Sequence, residues 1–595
     1  MKWVRRLEAL AVAAGLLVIL LVVVIVVSAL ANPIGVAIVL AIALVLAVVF
    51  RWARRRVPTG TVLELDLDQG VVEETVSGSL GHYVNRGSVV LRDVTDALRR
   101  GAEDDRIVGV VARLGNGGIS IGHAQELRDA VHDFRSSGKR TVAFAESFGE
   151  GGLATVDYYL ATAFEEIHLQ PGGDVGVGGV VERVPFVRGL LDLAGLIPDF
   201  DHRKEYKAAR YLLTEKSFTP PHEEAARSVL EDQFEQIVSG IAADRGIPAA
   251  QVRELIDRAP LLSSEALEAG LVDRLSYRDQ AYHSALGDGA RPMFVESYLR
   301  RAGRPYRRGA RVALIYGTGS IHRGRSVFDP MTRGLSFGVD DVASAFREAI
   351  DDRKVKAIVF RVDSPGGSAV ASEVMRRETV RAREAGKAVV VSMGNVAGSG
   401  GYWISTSADR IVAQPGTVTG SIGVVGGKLA MRAAWRRVGV NLEELHLGRN
   451  ATFALADDPY TDSERERLGA SLDSIYEEFK SRVAEGRSLD PGEVEERAKG
   501  RIWTGARAVE LGLVDELGGL DRAVELAGEL AAVPADRGVA LRVFPRRRGI
   551  PLPERKESSE PVGQAAALLF QLVDSLAGVS RSPVVEARVP FSWRM

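Results

Sequence analysis

The chain repeats itself, and this duplication constrains the fold more than any other feature of its 595 residues. The matching segments are 158–167 with 402–411, 113–118 with 361–367, and 268–273 with 510–515. The first pair is separated by 244 positions and is followed in both copies by Gln-Pro-Gly, whereas the last pair is separated by 242. Three matches in the same order and nearly the same register indicate two homologous domains.

Each copy carries the pattern of an α/β domain. In the first copy, residues 62–67 alternate as in a half-buried strand, residues 107–114 suit a buried strand, and helical patterns cover 94–100 and 124–137. Strands that alternate with helices usually form a largely parallel sheet with crossover connections. The predicted division of the chain is an anchor at 1–57, a first domain at 58–305, a second at 306–540 and a tail at 541–595.

Residues 10–50 are almost wholly apolar and are interrupted at Asn32-Pro33. The run 10–31 is long enough to cross a bilayer, and 34–50 is at the short limit, so we predict a membrane anchor of two spans. A signal peptide is the rival interpretation, but its apolar region is shorter. Basic residues flank both ends, which for a two-span hairpin predicts a cytoplasmic body. A single inserted span places the body outside.

Composition excludes several classes of protein. The net charge of −2 provides no basic field for nucleic acid, so we predict no nucleic-acid partner. Cysteine is absent, which excludes disulfides, thiolate metal sites and a cysteine nucleophile. No His-Glu-x-x-His motif or cluster of His and Asp ligands is present, so no metal is predicted. The tail reads as a polar linker followed by a short apolar helix at 565–577.

The segment 395–406, NVAGSGGYWIST, places Ser399 among small residues after an apolar strand pattern. Such a turn suits a nucleophile whose following amide, that of Gly400, faces a developing oxyanion. A Gly-Ser-Gly triplet alone is more often an ordinary loop. In the first copy, 244 positions earlier, stand Thr155, Val156 and Asp157, so we expect one nucleophile per chain.

A second glycine segment, 359–368 (VFRVDSPGGS), ends a predicted strand ahead of a helical stretch at 372–385. The amides of Gly366 and Gly367 are candidates for an oxyanion hole, although these residues alone suit an ordinary strand-to-helix turn better. A serine nucleophile also needs a base. The second copy offers only His322 and His446, and composition leaves every lysine open as a substitute.

Four motifs in this order resemble the signal peptide peptidase A family, also called protease IV, of peptidase family S49. They are DSPGGS at 363–368, GSGGYWIST at 398–406, TGSIG at 419–423 and RIWTG at 501–505. The resemblance, to the long duplicated form of the family, covers about residues 60–535. It implies two tandem domains of the ClpP/crotonase superfamily after a transmembrane region.

The resemblance also implies a Ser-Lys dyad without a cofactor, with Ser399 as nucleophile and Lys207 as base. Ser421 is expected to orient the lysine, and Gly400 with Gly366 or Gly367 to form the oxyanion hole. Lys204 and Lys216 are the neighbouring alternatives, each more typical of a surface lysine.

The family further implies a membrane-anchored body outside the cytoplasm, in conflict with the hairpin prediction. It implies cleaved signal peptides and other small or unfolded peptides as substrates, and a homo-oligomer, with a tetramer as one form. Two alternatives remain open from the sequence: a crotonase-like acyl-CoA enzyme, and a non-catalytic membrane scaffold.

Overall fold

The structure, a computed structural model, describes residues 56–74, 88–116, 118–286, 291–329, 334–534 and 536–545, together with position 24. The predicted transmembrane spans and nearly all of the tail lie outside the described residues. Within the described ranges, no helix combines the length and apolarity needed to cross a membrane.

The first repeat alternates strands with helices, as predicted. Its strands are β1 (Thr61–Asp66), β2 (Val71–Val72), β3 (Val89–Val90), β4 (Ile107–Arg113), β5 (Arg140–Ala145), β6 (Glu166–Leu169), β7 (Asp174–Val175), β8 (Ile197–His202), β9 (Leu261–Leu262), β10 (Arg274–Leu275) and β11 (Arg291–Phe294). Its helices are α1 (Leu91–Ala102), α2 (Ile121–Arg135), α3 (Thr155–Ala161), α4 (Arg188–Ala194), α5 (Tyr211–Thr214), α6 (Pro220–Arg245), α7 (Ala249–Arg258), α8 (Ser263–Glu268), α9 (Arg278–Leu286) and α10 (Val295–Ala302).

The second repeat follows the same plan. Its strands are β12 (Ala310–Thr318), β13 (Ser320–His322), β14 (Val327–Asp329), β15 (Gly334–Gly338), β16 (Val355–Ser364), β17 (Ala388–Gly398), β18 (Arg410–Ala413), β19 (Val418–Gly420), β20 (Val425–Ala430), β21 (Ile502–Thr504), β22 (Glu516–Leu517) and β23 (Val539–Phe544). Its helices are α11 (Val339–Asp351), α12 (Ala369–Glu384), α13 (Gly400–Ser405), α14 (Arg432–Arg437), α15 (Asp462–Arg487), α16 (Pro491–Arg497), α17 (Gly505–Glu510) and α18 (Leu520–Leu530).

Each repeat is built on a mainly parallel sheet. The strand order is β10-β6-β5-β4-β1-β11 in the first repeat and β21-β19-β17-β16-β12-β23 in the second, with β18 pairing to β17 and β22. The central strands β16 and β17 are buried along nearly their whole length because helices cover both faces of the sheet. In the second repeat, β17 and β19 end at the edge that carries the candidate site.

Matching side chains make the same contacts in the two repeats. The hydroxyl of Tyr158 donates to Leu271 O at 2.7 Å, and that of Tyr402 donates to Leu513 O at 2.9 Å. Asp273 accepts from the amide of Ile167 at 2.7 Å, as Asp515 does from that of Ile411. The sequence duplication is therefore a duplication of tertiary structure.

A buried ion cluster joins the repeats. Arg361, on β16, has its side chain 1% exposed and contacts Glu73 and Glu126 of the first repeat. Arg361 also donates to Ser392 Oγ at 2.8 Å, and the Glu126 carboxylate accepts the Leu520 amide at 2.8 Å. A second junction is the antiparallel pairing of β8 with β20, which carries a first-repeat segment across the second repeat.

Candidate active site

Ser399 lies at the junction of β17 and α13, where its backbone is forced into an unusual conformation. Its φ and ψ are 53° and −117°, a region that non-glycine residues rarely adopt and that occurs mainly at functional sites. The chain turns tightly here because its neighbours are small: a Cβ on Gly401 would lie 2.6 Å from Ser364 O. The apolar strand, the serine and the glycines thus form the sharp strand-to-helix turn predicted from the sequence.

Lys207 reaches this serine from the other repeat. It immediately precedes the short 3₁₀ turn Ala208–Arg210, five residues after β8 ends. Because β8 pairs with β20, the segment that follows β8 is held over the end of β17. Lys207 Nζ lies 2.9 Å from Ser399 Oγ, although 192 residues separate them in the chain.

The surroundings of Lys207 favour a neutral amine. The residue is 2% exposed, and none of the described carboxylates forms an ion pair with it. Its Nζ donates to Ser421 O at 2.8 Å and to Ser421 Oγ at 2.9 Å. Burial lowers the pKa of Lys207 to about 7, because the charged form loses its hydration and gains no counter-ion.

Two glycines make room for the lysine. A Cβ on Gly500 would lie 2.5 Å from the backbone nitrogen of Lys207, and a Cβ on Gly423 would lie 3.2 Å from Lys207 Cδ. Gly423 belongs to the TGSIG segment, whereas Gly500, just before RIWTG, was not identified from the sequence. Its position next to that segment is a signal that sequence inspection could have used.

The amides beside Ser399 differ in their hydrogen bonding. The Gly366 amide donates to Ser364 Oγ at 3.1 Å. Gly367 pairs with Ile321 as an isolated parallel bridge, a pattern in which its own N–H points away from Ile321. Within the described ranges, the N–H groups of Gly367 and Gly400 have no acceptor. A Cβ on Gly400 would lie only 3.1 Å from the Gly367 nitrogen, so the two free amides are near neighbours.

Comparison with known proteins agrees with this architecture. The sequence model of peptidase family S49 matches the chain twice, over residues 133–288 and again over 381–534. The chain belongs to peptidase family S49. This confirms the predicted family, its duplicated α/β organisation and the predicted enzyme class, a serine peptidase.

Three relatives span most of this S49 peptidase. Protease 4 of Salmonella typhi is 34% identical over 462 residues, which cover 74% of this chain and 72% of that protein. The chloroplastic serine protease SPPA of Arabidopsis thaliana is 29% identical over 546 residues, covering 90% and 76%. Protease 4 of Haemophilus influenzae is 28% identical over 489 residues, covering 78% and 77%. These comparisons support the peptidase over the two alternatives, a crotonase-like acyl-CoA enzyme and a non-catalytic membrane scaffold.

The other candidate bases of this S49 peptidase have different contacts. His322 Nε2 lies 2.8 Å from Arg325 O, and His446 lies 3.9 Å from Glu444. Lys204 forms an ion pair with Glu495 at 2.9 Å, and Lys216 is exposed. Of these residues and Lys207, only Lys207 has a described contact with Ser399.

The matching position of the first repeat is closed. Thr155 is buried, and its hydroxyl donates to Gly179 O at 2.7 Å, so it is held by the backbone. Asp157, at the position of Gly401, is 1% exposed. The first repeat of this S49 peptidase thus lacks both the free hydroxyl and the open turn.

The described residues contain one group with metal-ligand geometry, which the sequence did not indicate. Ligand atoms of Glu73, His123 and Asp363 lie within 4.8 Å of one another. The guanidinium of Arg361 contacts the Glu73 carboxylate, and His123 Nε2 lies 3.0 Å from Oε1 of the same carboxylate. A bound cation would lie beside this fixed positive charge, so the group fits the inter-repeat ion cluster better than a metal centre.

Proposed function

We propose that Ser399 and Lys207 are the catalytic dyad of this peptidase, with Ser399 as nucleophile and Lys207 as general base. The supporting observation is the 2.9 Å contact between Lys207 Nζ, which is buried from water, and Ser399 Oγ, which is partly exposed. A neutral lysine has two N–H groups and one lone pair. Both N–H groups can be donated to Ser421, which leaves the lone pair facing the Ser399 hydroxyl.

The reaction follows from these contacts. Lys207 takes the Ser399 proton as Oγ attacks the scissile carbonyl, and the protonated lysine then donates that proton to the leaving amine as the C–N bond breaks. Water, deprotonated by Lys207, attacks the acyl-enzyme ester; the bond between the acyl carbon and Ser399 Oγ breaks, Lys207 returns the proton to Oγ, and the acid is released. Ser421 positions the amine throughout by accepting its hydrogen bonds.

Gly400 and Gly367 supply the oxyanion hole in this proposal. Both amides are free and adjacent, whereas that of Gly366 is already donated to Ser364. Gly366 instead acts through its conformation: its φ is +104°, and a Cβ there would lie 2.6 Å from the Gly400 nitrogen. The resemblance left the choice between the two glycines open, and this hydrogen-bonding pattern favours Gly367.

The dyad is tested by Ser399→Ala, Lys207→Ala and the double variant. Each single change should lower kcat for peptide hydrolysis by about 10⁴-fold or more, and the double variant should lose no more than the worse single one, because the two groups act as a unit. Lys204→Ala is the matched control, since Lys204 lies three residues away and pairs with Glu495. Peptidase activity that survives either dyad substitution would refute the assignment.

We further propose that the enzyme is membrane-anchored and degrades small or unfolded peptides, cleaved signal peptides among them. The apolar segment 10–50 supports the anchor, and a relative from Enterococcus faecium that is named as a signal peptide peptidase, 33% identical over 168 residues, supports the substrate class. A folded protein and its unfolded form, offered at equal concentration, test the substrate preference: equal cleavage rates contradict it. Protease accessibility in intact cells distinguishes a cytoplasmic body from an external one.

A further inference from the structure

A basic cleft lies at the edge of the second sheet where its strands begin, opposite the edge that carries the candidate site. Its volume is about 470 Å³, and strands β12, β16 and β23 begin beside it. Six of its nine lining residues are basic: Arg307, Arg311, Arg353, Lys354, Lys356 and Arg542. The other three are Gly309, Ala310 and Ala540, so no carboxylate lines the basic cleft.

Most of the positive charge of the basic cleft is unpaired. Arg311 forms an ion pair with Asp352 at 2.5 Å, but none of the other five basic residues pairs with a described carboxylate. The described hydrogen bonds of the Arg542 guanidinium go to backbone oxygens, those of Leu541 at 3.3 Å and Arg307 at 3.1 Å. Such bonds hold a guanidinium in place without cancelling its charge, so the basic cleft can still pair with an anion.

The first repeat shows that the fold does not require this charge. Lys139 and Lys387 each donate to two equivalent backbone oxygens of the loop before a central strand, at 2.7–2.8 Å. These contacts align residues 103–108 (EDDRIV) with residues 351–356 (DDRKVK), a shift of 248 positions. The first-repeat loop has three acidic residues and one basic residue, whereas the second-repeat loop has two acidic and three basic residues.

The strands beside the loops differ in the same way. By the register of the parallel ladders, Arg311 takes the place of Thr61, and Arg542 takes the place of Met293. Of the five cleft positions that the loops and ladders align, only one is basic in the first repeat. It is Arg106, which forms an ion pair within its own loop. The second repeat therefore carries unpaired charge that its fold does not need, which points to a ligand.

The basic cleft lies near the point where the proposed anchor joins the body. Arg301 donates to the backbone oxygen of Arg56 at 3.3 Å. Six residues separate Arg301 from Arg307, and such a segment spans at most about 22 Å. Another six separate Arg56 from Phe50, where the apolar segment ends. The lipid headgroups around the proposed anchor are therefore within reach of the basic cleft.

We propose that the basic cleft binds the headgroup of an anionic phospholipid in the membrane that holds the anchor. A lipid phosphate accepts hydrogen bonds from guanidinium and ammonium groups, and basic residues next to a membrane are attracted to anionic lipids. Nucleic acid fits less well, because the chain's net charge of −2 provides no basic field beyond the cleft. This inference rests on the proposed anchor but not on the proposed dyad.

Removing charge from the basic cleft tests the proposal. Full-length protein in a neutral detergent is titrated with phosphatidylglycerol or phosphatidylcholine, and native mass spectrometry measures the bound lipid. The natural protein should bind phosphatidylglycerol about tenfold more tightly or better. Arg353→Gln, Lys354→Gln and Lys356→Gln together should weaken its tightest phosphatidylglycerol binding about 10²-fold, or about fivefold for each charge removed. All three side chains are exposed, so circular dichroism should show an unchanged fold.

The matched control, Arg227→Gln with Arg258→Gln and Arg377→Gln, removes the same charge from exposed helix positions outside the basic cleft. It should bind phosphatidylglycerol as the natural protein does. Equal affinity for the two lipids, an equal loss in the control, or no loss in the cleft variant would overturn the proposal. Displacement of the lipid by millimolar inorganic phosphate, by an acidic peptide or by a DNA oligonucleotide would also overturn it, because the basic cleft would then be a general anion site.

Two further measurements separate this proposal from the proposed function. Alkaline carbonate extraction of membranes tests the anchor: release of the natural protein contradicts the anchor on which the inference rests. Peptidase rates in detergent should be the same for the cleft variant and the natural protein, because the basic cleft and Ser399 lie at opposite edges of the sheet. A wrong dyad would leave lipid binding unchanged, whereas a wrong cleft would leave catalysis and the anchor unchanged.

Discussion

Lys207 illustrates how the surroundings of one buried side chain change its protonation. A surface lysine remains protonated at neutral pH, but this one is enclosed without a carboxylate partner among the described residues, and the described hydrogen bonds of its Nζ all go to serine oxygens. Its pKa is lowered to about 7 by desolvation alone. The amine is therefore neutral over part of the physiological pH range, as the proposed general base requires.

The pH dependence of catalysis follows from this pKa. Only the neutral amine accepts the Ser399 proton, so kcat/KM should fall about tenfold per pH unit below about pH 7 and level off above it. Initial rates on a short uncharged peptide between pH 5 and 9 give the profile, with circular dichroism as the control for folding. A profile that is flat through this range, or that still rises steeply at pH 9, contradicts Lys207 as the base.

At the scale of elements, two strand ends build the site. Strand β17 delivers Ser399 and strand β16 delivers the glycine loop, and their carboxyl ends lie side by side because the strands are parallel neighbours. Gly366 and Gly367 have φ of 104° and 154°, and a Cβ on Gly367 would lie 2.1 Å from Ile321 O. The loop needs glycine for both backbone conformation and close approach.

Gly366→Ala tests the loop. A Cβ at this position would lie 2.6 Å from the Gly400 nitrogen, so the proposed oxyanion hole must shift, and we expect kcat to fall by about 10²-fold or more. Gly386→Ala is the control, because its φ of +74° is equally left-handed but its Cβ meets open space. Steady-state kinetics should show loss of kcat only for the first variant. An active Gly366→Ala enzyme would show that the loop takes no part in the chemistry.

At the scale of the whole molecule, Ser399 and Lys207 meet only because the repeats are held in one register. The proposed dyad takes one residue from each repeat, and the pairing of β8 with β20 and the ion cluster around Arg361 both cross the same junction. A charged cluster with Arg361 1% exposed is stable only while its charges stay paired.

Arg361→Met should therefore destabilise the protein by about 3–5 kcal/mol, since Glu73 and Glu126 lose their buried counter-ion. Denaturant unfolding at pH 7 measures the change. Arg377→Ala is the control: its ion pair with Glu384 is exposed, and its removal should leave stability unchanged. Equal stability of the Arg361→Met variant and the natural protein would mean that the cluster does not hold the repeats together.

Much of the architecture could be predicted from local sequence. The duplication, the alternation of strands with helices, and the Ser399 turn depend on nearby residues: apolar runs select strands, and glycines select tight turns. The predicted helices 94–100, 124–137 and 372–385 are observed as Leu91–Ala102, Ile121–Arg135 and Ala369–Glu384. The roles of Ser399, Lys207, Ser421 and the glycine amides remain predictions.

The partner of Ser399 could not be found in this way. Composition left every lysine open, and Lys207 was identified only by resemblance. Its closeness to Ser399, 192 residues away in the chain, arises from an antiparallel pairing between the two repeats. Tertiary structure alone shows that the Gly366 N–H has a hydrogen-bond acceptor while that of Gly367 has none among the described residues, and that the lysine lacks a described counter-ion. Sequence determined which segments turn and which are buried, because those properties are local. The contact between Lys207 and Ser399 and the lowered pKa of Lys207 depend instead on how the two repeats pack against each other.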